Sequence, residues 1–434
     1  MKKITITGTK GKTTVSNVLA NILQKLEKKV LSVDTNGAYI NGKMMISKSQ
    51  SQLVWDVVPT VAPGRFLYLL NSPDTKIVEG RHHGNIDGVA VLEASLGCGT
   101  LSGLGYFGHD VGVFTNVFED HLGSRPDLNK REDIGSSKKF IYSRINHDGY
   151  AVFNADDDIV CNNLKYCKQS VKLVPFGLHF KHFDIKKHID KGGTAVTVKN
   201  DLVVLISLEK TEKLFAISDI VWTFEGKFTP SVYNLLAVVG ALFGYGEGSI
   251  SPKIITAICN SRLDPYSGRL ALLRNKKDVT IIADFAHEKQ SLKSVAELAH
   301  KLKKSNDNQV IGVIRLAWDR TEELIKETAE YIANSYDQFI VYDKIDGFWR
   351  QPGTRFRTGQ RQFTQEIGKI STILADTLIK LRNEKDVVRI LREDDAIKMA
   401  AKKAKSGDVV VFIVNDNIKR SIDFIKNAFD AEFV

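Results

Sequence analysis

Gly8, Gly11, Lys12 and Thr13 stand in the stretch ITITGTKGKTTVSNVLANIL in the pattern G-x-x-G-K-T. These residue types at this spacing suit the handling of a triphosphate. A glycine-rich turn lets successive backbone N–H groups converge on phosphate oxygens, and a helix that starts there adds partial positive charge. A lysine in the position of Lys12 supplies a mobile cation for the β- and γ-phosphates, and the hydroxyl of Thr13 can bind Mg²⁺. The general phosphate-loop pattern has one more glycine five places before Gly11, where this chain carries Ile6. Glu93 in VLEASLG and His121 in TNVFEDHLG each follow an apolar run. Taken singly, a strand-end glutamate is more often solvated and a lone histidine more often structural. On the same edge as the loop, however, a carboxylate and an imidazole could hold a second divalent cation against the γ-phosphate. Together the three features point to metal-assisted phosphoryl transfer. A dinucleotide-dependent oxidoreductase is disfavoured, because G-x-G-x-x-G is absent and GKTT is present.

The elements that must position these groups follow from periodicity. Residues 4–7 predict a buried strand. Val15, Val18, Leu19, Ile22, Leu23 and Leu26 repeat at spacings of three and four and predict one apolar helix face. VLSVDTNG predicts the next strand, which makes a βαβ unit and therefore a parallel sheet. GVAVLEA, DVGVFTNV and GYAVFNADD are continuous apolar runs that end in polar groups, as strands buried on both faces do where their C-terminal edge opens on a site. Residues 40–88 break this rhythm and predict an insertion with its own strands. After about residue 260 the rhythm restarts with VTIIADFAH, QVIGVIRLAWDR, QFIVYDKID, DVVRILRED and DVVVFIVND. The expected organisation is α/β throughout: a triphosphate-binding parallel-sheet domain over 1–260 and a second, Rossmann-like α/β domain over 261–434. The boundary is expected at SRLDPYSGR, where Pro and Gly interrupt the pattern.

Bulk properties narrow the class. A chain of 434 residues implies two or three domains, and 43% hydrophobic with 26% charged residues is ordinary for a globular protein. No apolar stretch is long enough to span a membrane, and no signal-peptide core precedes the loop, so a cytoplasmic protein is expected. Cys98, Cys161, Cys167 and Cys259 lack metal-ligand or C-x-x-C spacing. The net charge of +10 is spread along helix-like segments with no nucleic-acid-binding motif. It suits a solvated basic surface or anionic small molecules better than nucleic acid.

The chain resembles the Mur ligase family of ATP-dependent amide-bond ligases. GTKGKTT resembles that family's GTNGKTT loop, LEASLG its E-x-S segment, and TNVFEDHLG its TN-x-x-x-DHL segment. PSVYNLLAVVGAL is similar to its N-x-x-N-x-LAA helix, and GRLALL…VTIIADFAHEKQSL to GR…DYAHNP. The matches run in order along nearly the whole chain. They are most similar to the C-terminal, Mur-like half of the cyanophycin synthetases, with no ATP-grasp or UDP-sugar-binding domain ahead of the loop.

The resemblance implies ATP and two Mg²⁺ ions as cofactors. Gly8, Thr9, Lys10, Gly11, Lys12, Thr13 and Thr14 would bind the phosphates, and Thr13, Glu93 and His121 the metal. Asn116 would lie beside nucleotide or metal, and Asn234 would contact adenine. Arg269 and Asp284 would reach ATP from the second domain. Lys138 in GSSKKFIY falls where the family has a lysine that is often carbamylated, with Lys139 as the alternative. The implied reaction joins an amino acid to a carboxylate or polyanionic peptide acceptor, with a homo-oligomer or a separate partner left open as the source of an acceptor-binding domain. The alternative is a nucleotide-binding regulatory or scaffold subunit without ligation. Two segments, FAHEKQ and IRLAWDR, depart from the family pattern, and both lie where the incoming amino acid is expected.

Overall fold

The computed structural model describes residues 1–48, 50–51, 58–71, 88–119, 126–286, 288–317, 320–345, 366–415 and 417–434. They form two compact units, Met1–Leu263 and Asp264–Val434.

The first unit is built on an eleven-stranded sheet. Its centre is parallel. β1 (Lys2–Thr7) lies between β5 (Val89–Glu93) and β6 (His109–Phe114). β2 (Val30–Val33) flanks β5, and β7 (Ile145–Asn154) and β8 (Lys172–Phe176) flank β6. These are the apolar runs read from sequence, and their burial on both faces explains why they lack alternation. One face is closed by the helices Lys12–Lys25, Thr229–Tyr245 and Pro252–Cys259, with Ile4, Ile6, Val18, Leu19 and Leu235 in the shared core. The opposite face carries a second core around Leu92, Phe114, Tyr142 and Phe153.

The Thr229–Tyr245 helix is apolar nearly all round, which suits a fully buried position. It closes on the sheet at two glycines. A Cβ on Gly240 would come within 2.7 Å of Val152, and one on Gly244 within 2.9 Å of Tyr150.

Both edges of this sheet end in antiparallel strands. β3 (Gly37–Ile40) and β4 (Lys43–Ser47) extend one side, within and just before the segment read as an insertion, which also contributes the helix Pro63–Asn71. Strands β9 (Ala195–Lys199), β10 (Leu202–Ile206) and β11 (Thr211–Ala216) extend the other, although β9 itself joins β8 in parallel. The β9–β10 hairpin turns on Asn200 and Asp201, both at positive φ (49° and 60°), the chemistry of a tight two-residue loop.

In the second unit the strand order is β16-β15-β14-β17-β13-β12-β18, and the five strands from β16 to β13 are parallel. They are β13 (Thr280–Asp284), β14 (Val310–Ile314), β15 (Gln338–Val341), β16 (Val387–Arg389) and β17 (Val409–Ile413). The sheet is not wholly parallel: β12 (Ala271–Asn275) and β18 (Ala431–Phe433) run antiparallel at one edge. The helices Glu393–Lys403 and Ile418–Phe429 pack Ala396, Ile397, Ile422 and Ile425 onto one face.

Candidate phosphate-binding site

Strand register brings the candidate residues of the first unit to one edge. Ile6 pairs with Glu93 and Thr7 with Phe114, so the loop after β1, the end of β5 and the segment after β6 are neighbours at the C-terminal ends of the strands. That edge is where open parallel α/β sheets place ligands.

The loop is held from outside. The Thr9 N–H donates to the Asn116 carbonyl at 2.9 Å, and the Lys10 N–H to Asn116 Oδ1 at 2.8 Å. Asn116 Nδ2 and Thr115 Oγ1 donate to the Lys10 carbonyl at 3.2 and 2.7 Å. The Phe118 N–H donates to Thr9 Oγ1 at 3.0 Å. Two glycines make this clamp possible. Gly8 has φ 146° and a Cβ there would lie 2.0 Å from Thr115 Oγ1; Gly11 has φ 83° and a Cβ there would lie 2.1 Å from Asn234 Oδ1. Both positions demand a residue without a side chain.

Gly11 also precedes the first turn of the Lys12–Lys25 helix, which has no side-chain cap and no acidic residue. Its first N–H groups therefore keep their capacity for an anion. Thr13 and Thr14 are buried in that turn, and Lys12 Nζ donates to the Thr9 carbonyl at 2.9 Å.

Glu93 is buried. Its carboxylate accepts from the Thr35 N–H at 3.2 Å and from Thr35 Oγ1 at 3.0 Å. Asp34, at the end of β2, is buried beside it. Burial first, and then the Glu93 charge, push the Asp34 carboxyl up to about 7, against hydrogen bonds from the Asn36 and Gly37 N–H groups.

The tandem lysines separate. Lys138 is buried, whereas Lys139 is exposed with its ammonium over the Tyr166 ring at 5.5 Å. Lys138 and Glu93 both act electrostatically on Cys98, whose thiol burial pushes up to about 12, with the lysine opposing and the glutamate reinforcing. Both charges therefore act on the same buried thiol. The turn Cys98–Ser102 meets the end of the helix Arg131–Ser137 so closely that a Cβ on Gly99 would sit 1.6 Å from the Ser137 carbonyl oxygen. A cavity of about 740 Å³ opens between these two segments, lined by Gly99, Thr100, Leu104, Phe107, Ser137 and Arg144 among others.

Asn234 is half-buried, one residue after Tyr233, whose hydroxyl donates to Asp156 Oδ2 at 2.8 Å. Burial would raise the Asp156 pKa. Donation from the Leu178, His179 and Lys181 N–H groups and from Tyr233 outweighs burial and holds it low.

In the second unit, Asp284 is buried and accepts from the Leu270 and Ala286 N–H groups at 2.9 and 2.7 Å, while Arg269 is half-buried beside Phe285. His121, like His287 and Asp319, lies outside the described residues.

Among the described residues no three His, Cys, Asp or Glu side chains converge as metal ligands. Thr13 and Glu93 supply hard oxygen donors of the kind Mg²⁺ takes, so the donor set fits that ion.

Thr115, Asp34, Thr35 and Asp156 were not singled out by motif. VLSVDTNG predicts a strand and carries no motif, although the strand-end logic that singles out Glu93 applies equally to Asp34.

Comparison with known proteins places this architecture. The model "Mur ligase middle domain" matches residues 83–242 and the model "Mur ligase, glutamate ligase domain" matches residues 268–413. Together these cover more than two thirds of the chain, and the chain belongs to the Mur ligase family. Cyanophycin synthetase of Geminocystis herdmanii is 27% identical over 423 residues, 98% of this chain and 43% of that protein. The chain thus spans less than half the length of that relative. A UDP-N-acetylmuramoyl-L-alanyl-D-glutamate–2,6-diaminopimelate ligase of Bacillus cereus is 24% identical over 94% of this chain and 72% of its own length. A solved structure of E. coli FolC with DHPP and ADP shares the fold, with a TM-score of 0.64 and 17% identity over 98% of this chain and 89% of that one. No helix among the described residues is long and apolar enough to cross a membrane.

Proposed function

We propose that this chain is an ATP-dependent carboxylate–amine ligase that joins an amino acid to a carboxylate acceptor through an acyl phosphate, releasing ADP and phosphate. The observation that carries the reading is the clamped loop Gly8–Thr13 with Glu93 buried at the same strand edge, and Lys138 and Glu93 both acting on the buried Cys98. A carboxylate resists amine attack because its oxygen is a poor leaving group. Transfer of the γ-phosphoryl group to the acceptor carboxylate makes an acyl phosphate. The amine attacks that carbonyl carbon, and the tetrahedral adduct collapses to amide and inorganic phosphate.

In this reading the N–H groups of Gly8–Thr14 and Lys12 Nζ orient the phosphates and neutralise their charge. Lys12 leaves the Thr9 carbonyl to do so. Thr13 and Glu93 would hold Mg²⁺, with His121 as a further ligand, and the ion would supply charge neutralisation at the transferring group. Thr35 fixes the Glu93 carboxylate. Lys138, carbamylated as in the family, would add an anionic oxygen donor near Glu93. Asn116 locks the loop, and Asn234 lies against Gly11, where a purine could be read. The cavity beside Gly99 and Ser137 suits the acceptor. Arg269 and Asp284 would serve the nucleotide from the second unit, which would also take the amine.

The test is phosphate release from ATP with candidate acceptors and an amino-acid panel, with mass detection of the product. Release that requires both co-substrates supports ligation; nucleotide binding without turnover refutes it. Lys12→Ala is expected to abolish turnover with the circular dichroism spectrum unchanged, and substantial remaining activity would remove the loop from the mechanism.

A further inference from the structure

A clasp closes on one peptide group behind the phosphate loop. Val117 is fully buried and stands four residues before His121. Its N–H donates to Asp157 Oδ2 at 2.8 Å. Its carbonyl accepts from Arg131 Nε at 3.1 Å and from Arg131 Nη2 at 2.9 Å. The same Nη2 donates to Asp158 Oδ1 at 3.0 Å, which fixes the plane of the guanidinium. The neighbouring peptides are held too. The Thr115 carbonyl accepts from Asn154 Nδ2 at 2.9 Å, and the Phe118 N–H donates to Thr9 Oγ1 at 3.0 Å. The tract that leads to His121 is thus pinned at both polar groups of Val117 and on either side of it.

The clasp residues begin two short helices that lie together. Asp157 caps the helix Asp158–Asn162, its Oδ1 accepting from the Val160 N–H at 3.0 Å. Arg131 opens the helix Arg131–Ser137, and Lys138 follows the last residue of that helix. The two helices meet at Gly135, where a Cβ would lie 2.2 Å from Ile159 Cγ2. At the α-helical rise, the run from Arg131 to Lys138 spans about 10 Å. One end of this rod grips the tract that leads to His121, and the other carries Lys138. A metal ligand binds well only when a further group holds it in place, and losing such a support costs about tenfold or more in affinity.

We propose, resting on the ligase reading above, that Arg131 is a positioning residue for the metal. Through the Val117 carbonyl it holds the His121 segment and Lys138 on one rigid frame, so that both serve the same ion. Asp157 by itself secures only the N–H side of the Val117 peptide. Without the guanidinium the buried carbonyl loses its donors, and the tract re-forms with His121 displaced. The phosphate loop keeps its own bonds to Asn116 and Thr115, so nucleotide affinity depends little on Arg131.

The experiment titrates Mn²⁺, as the probe for the ion, into the full chain saturated with the non-hydrolysable analogue AMPPNP. Free Mn²⁺ is read by electron paramagnetic resonance, with AMPPNP in the absence of protein as the blank. Arg131→Met should weaken Mn²⁺ binding at least about tenfold, while AMPPNP affinity at saturating Mg²⁺ stays within about threefold. Arg131→Lys keeps one donor for the carbonyl and should recover most of the loss. Asp158→Asn frees the guanidinium without touching Val117. It should weaken Mn²⁺ binding by about threefold, and it decides the matter if the Met variant does not fold. Parental Mn²⁺ binding in the deciding variant overturns the proposal, as does a parent chain that binds no Mn²⁺ beyond the blank. A loss of AMPPNP affinity as large as the loss for Mn²⁺ assigns Arg131 to the loop and overturns it as well. A parent chain that binds Mn²⁺ and AMPPNP yet never releases phosphate with both co-substrates would sink the ligase reading, and the Mn²⁺ titrations would still decide this one.

Discussion

Replacing Gly11 by alanine tests the loop and its clamp together. Two separate costs follow from the geometry. Gly11 sits at φ 83°, where an L side chain costs about 1–2 kcal/mol. The new Cβ would also lie 2.1 Å from Asn234 Oδ1, so Asn234 or the loop must move, an overpacking cost of about 1–3 kcal/mol. Together they predict a loss of about 2–5 kcal/mol in nucleotide-free protein. Asn234→Ala removes only the second cost. In that background Gly11→Ala should lose about 1–2 kcal/mol, so the pair should show a coupling of about 1–3 kcal/mol. Urea unfolding of the four proteins, followed by the fluorescence of buried Trp222 in the same unit, measures the cycle. The reasoning is refuted if Gly11→Ala falls within about 0.5 kcal/mol of the parent, or if its cost is the same with and without Asn234.

Other outcomes follow from the same geometry. His109 is fully buried, and burial depresses its pKa to about 4 from 6.5. The unfolded chain therefore binds the extra proton first as pH falls. Stability present above pH 6.5 should be lost down to pH 4, by about 3 kcal/mol relative to His109→Gln, read by urea titrations at pH 7 and pH 4; parallel curves would refute the depressed value. Lys138→Met should lower turnover by at least about a hundredfold whereas exposed Lys139→Met leaves it within about twofold, a contrast that initial-rate assays decide. Gly99→Ala places a methyl 1.6 Å from the Ser137 carbonyl. It should cost about 1–3 kcal/mol in urea unfolding and displace Lys138, and a neutral substitution would contradict that packing.

The parallel centre of each sheet was legible because strands buried on both faces read as unbroken apolar runs, and GVAVLEA and DVVVFIVND are such runs. The edge strands were not. β11 is largely exposed and alternates weakly, and the short runs of β9 and β10, though mostly buried, are placed in the sheet by the Asn200–Asp201 turn that pairs them antiparallel. For the site, GKTT announced itself because its spacing is tied to backbone geometry. The clamp from Thr115 and Asn116, and the Thr35 hold on Glu93, depend on strand order, which no local pattern encodes. The same holds for Lys138 and Lys139, which differ only in which side of a helix end they leave.

The strand carrying the glycine turn is central, and both of its neighbours come from far along the chain: Ile6 pairs with Glu93 on one side and Val113 on the other. Bringing those partners together closes loops of about a hundred residues, whose entropy is spent before the turn exists in usable form. A fragment ending ahead of β6 would contain every letter of the phosphate motif and yet lack the Asn116 carbonyl and amide that shape it. In the proposed reading, competence to grip a nucleotide is therefore a property of the completed sheet and not of the segment that bears the motif.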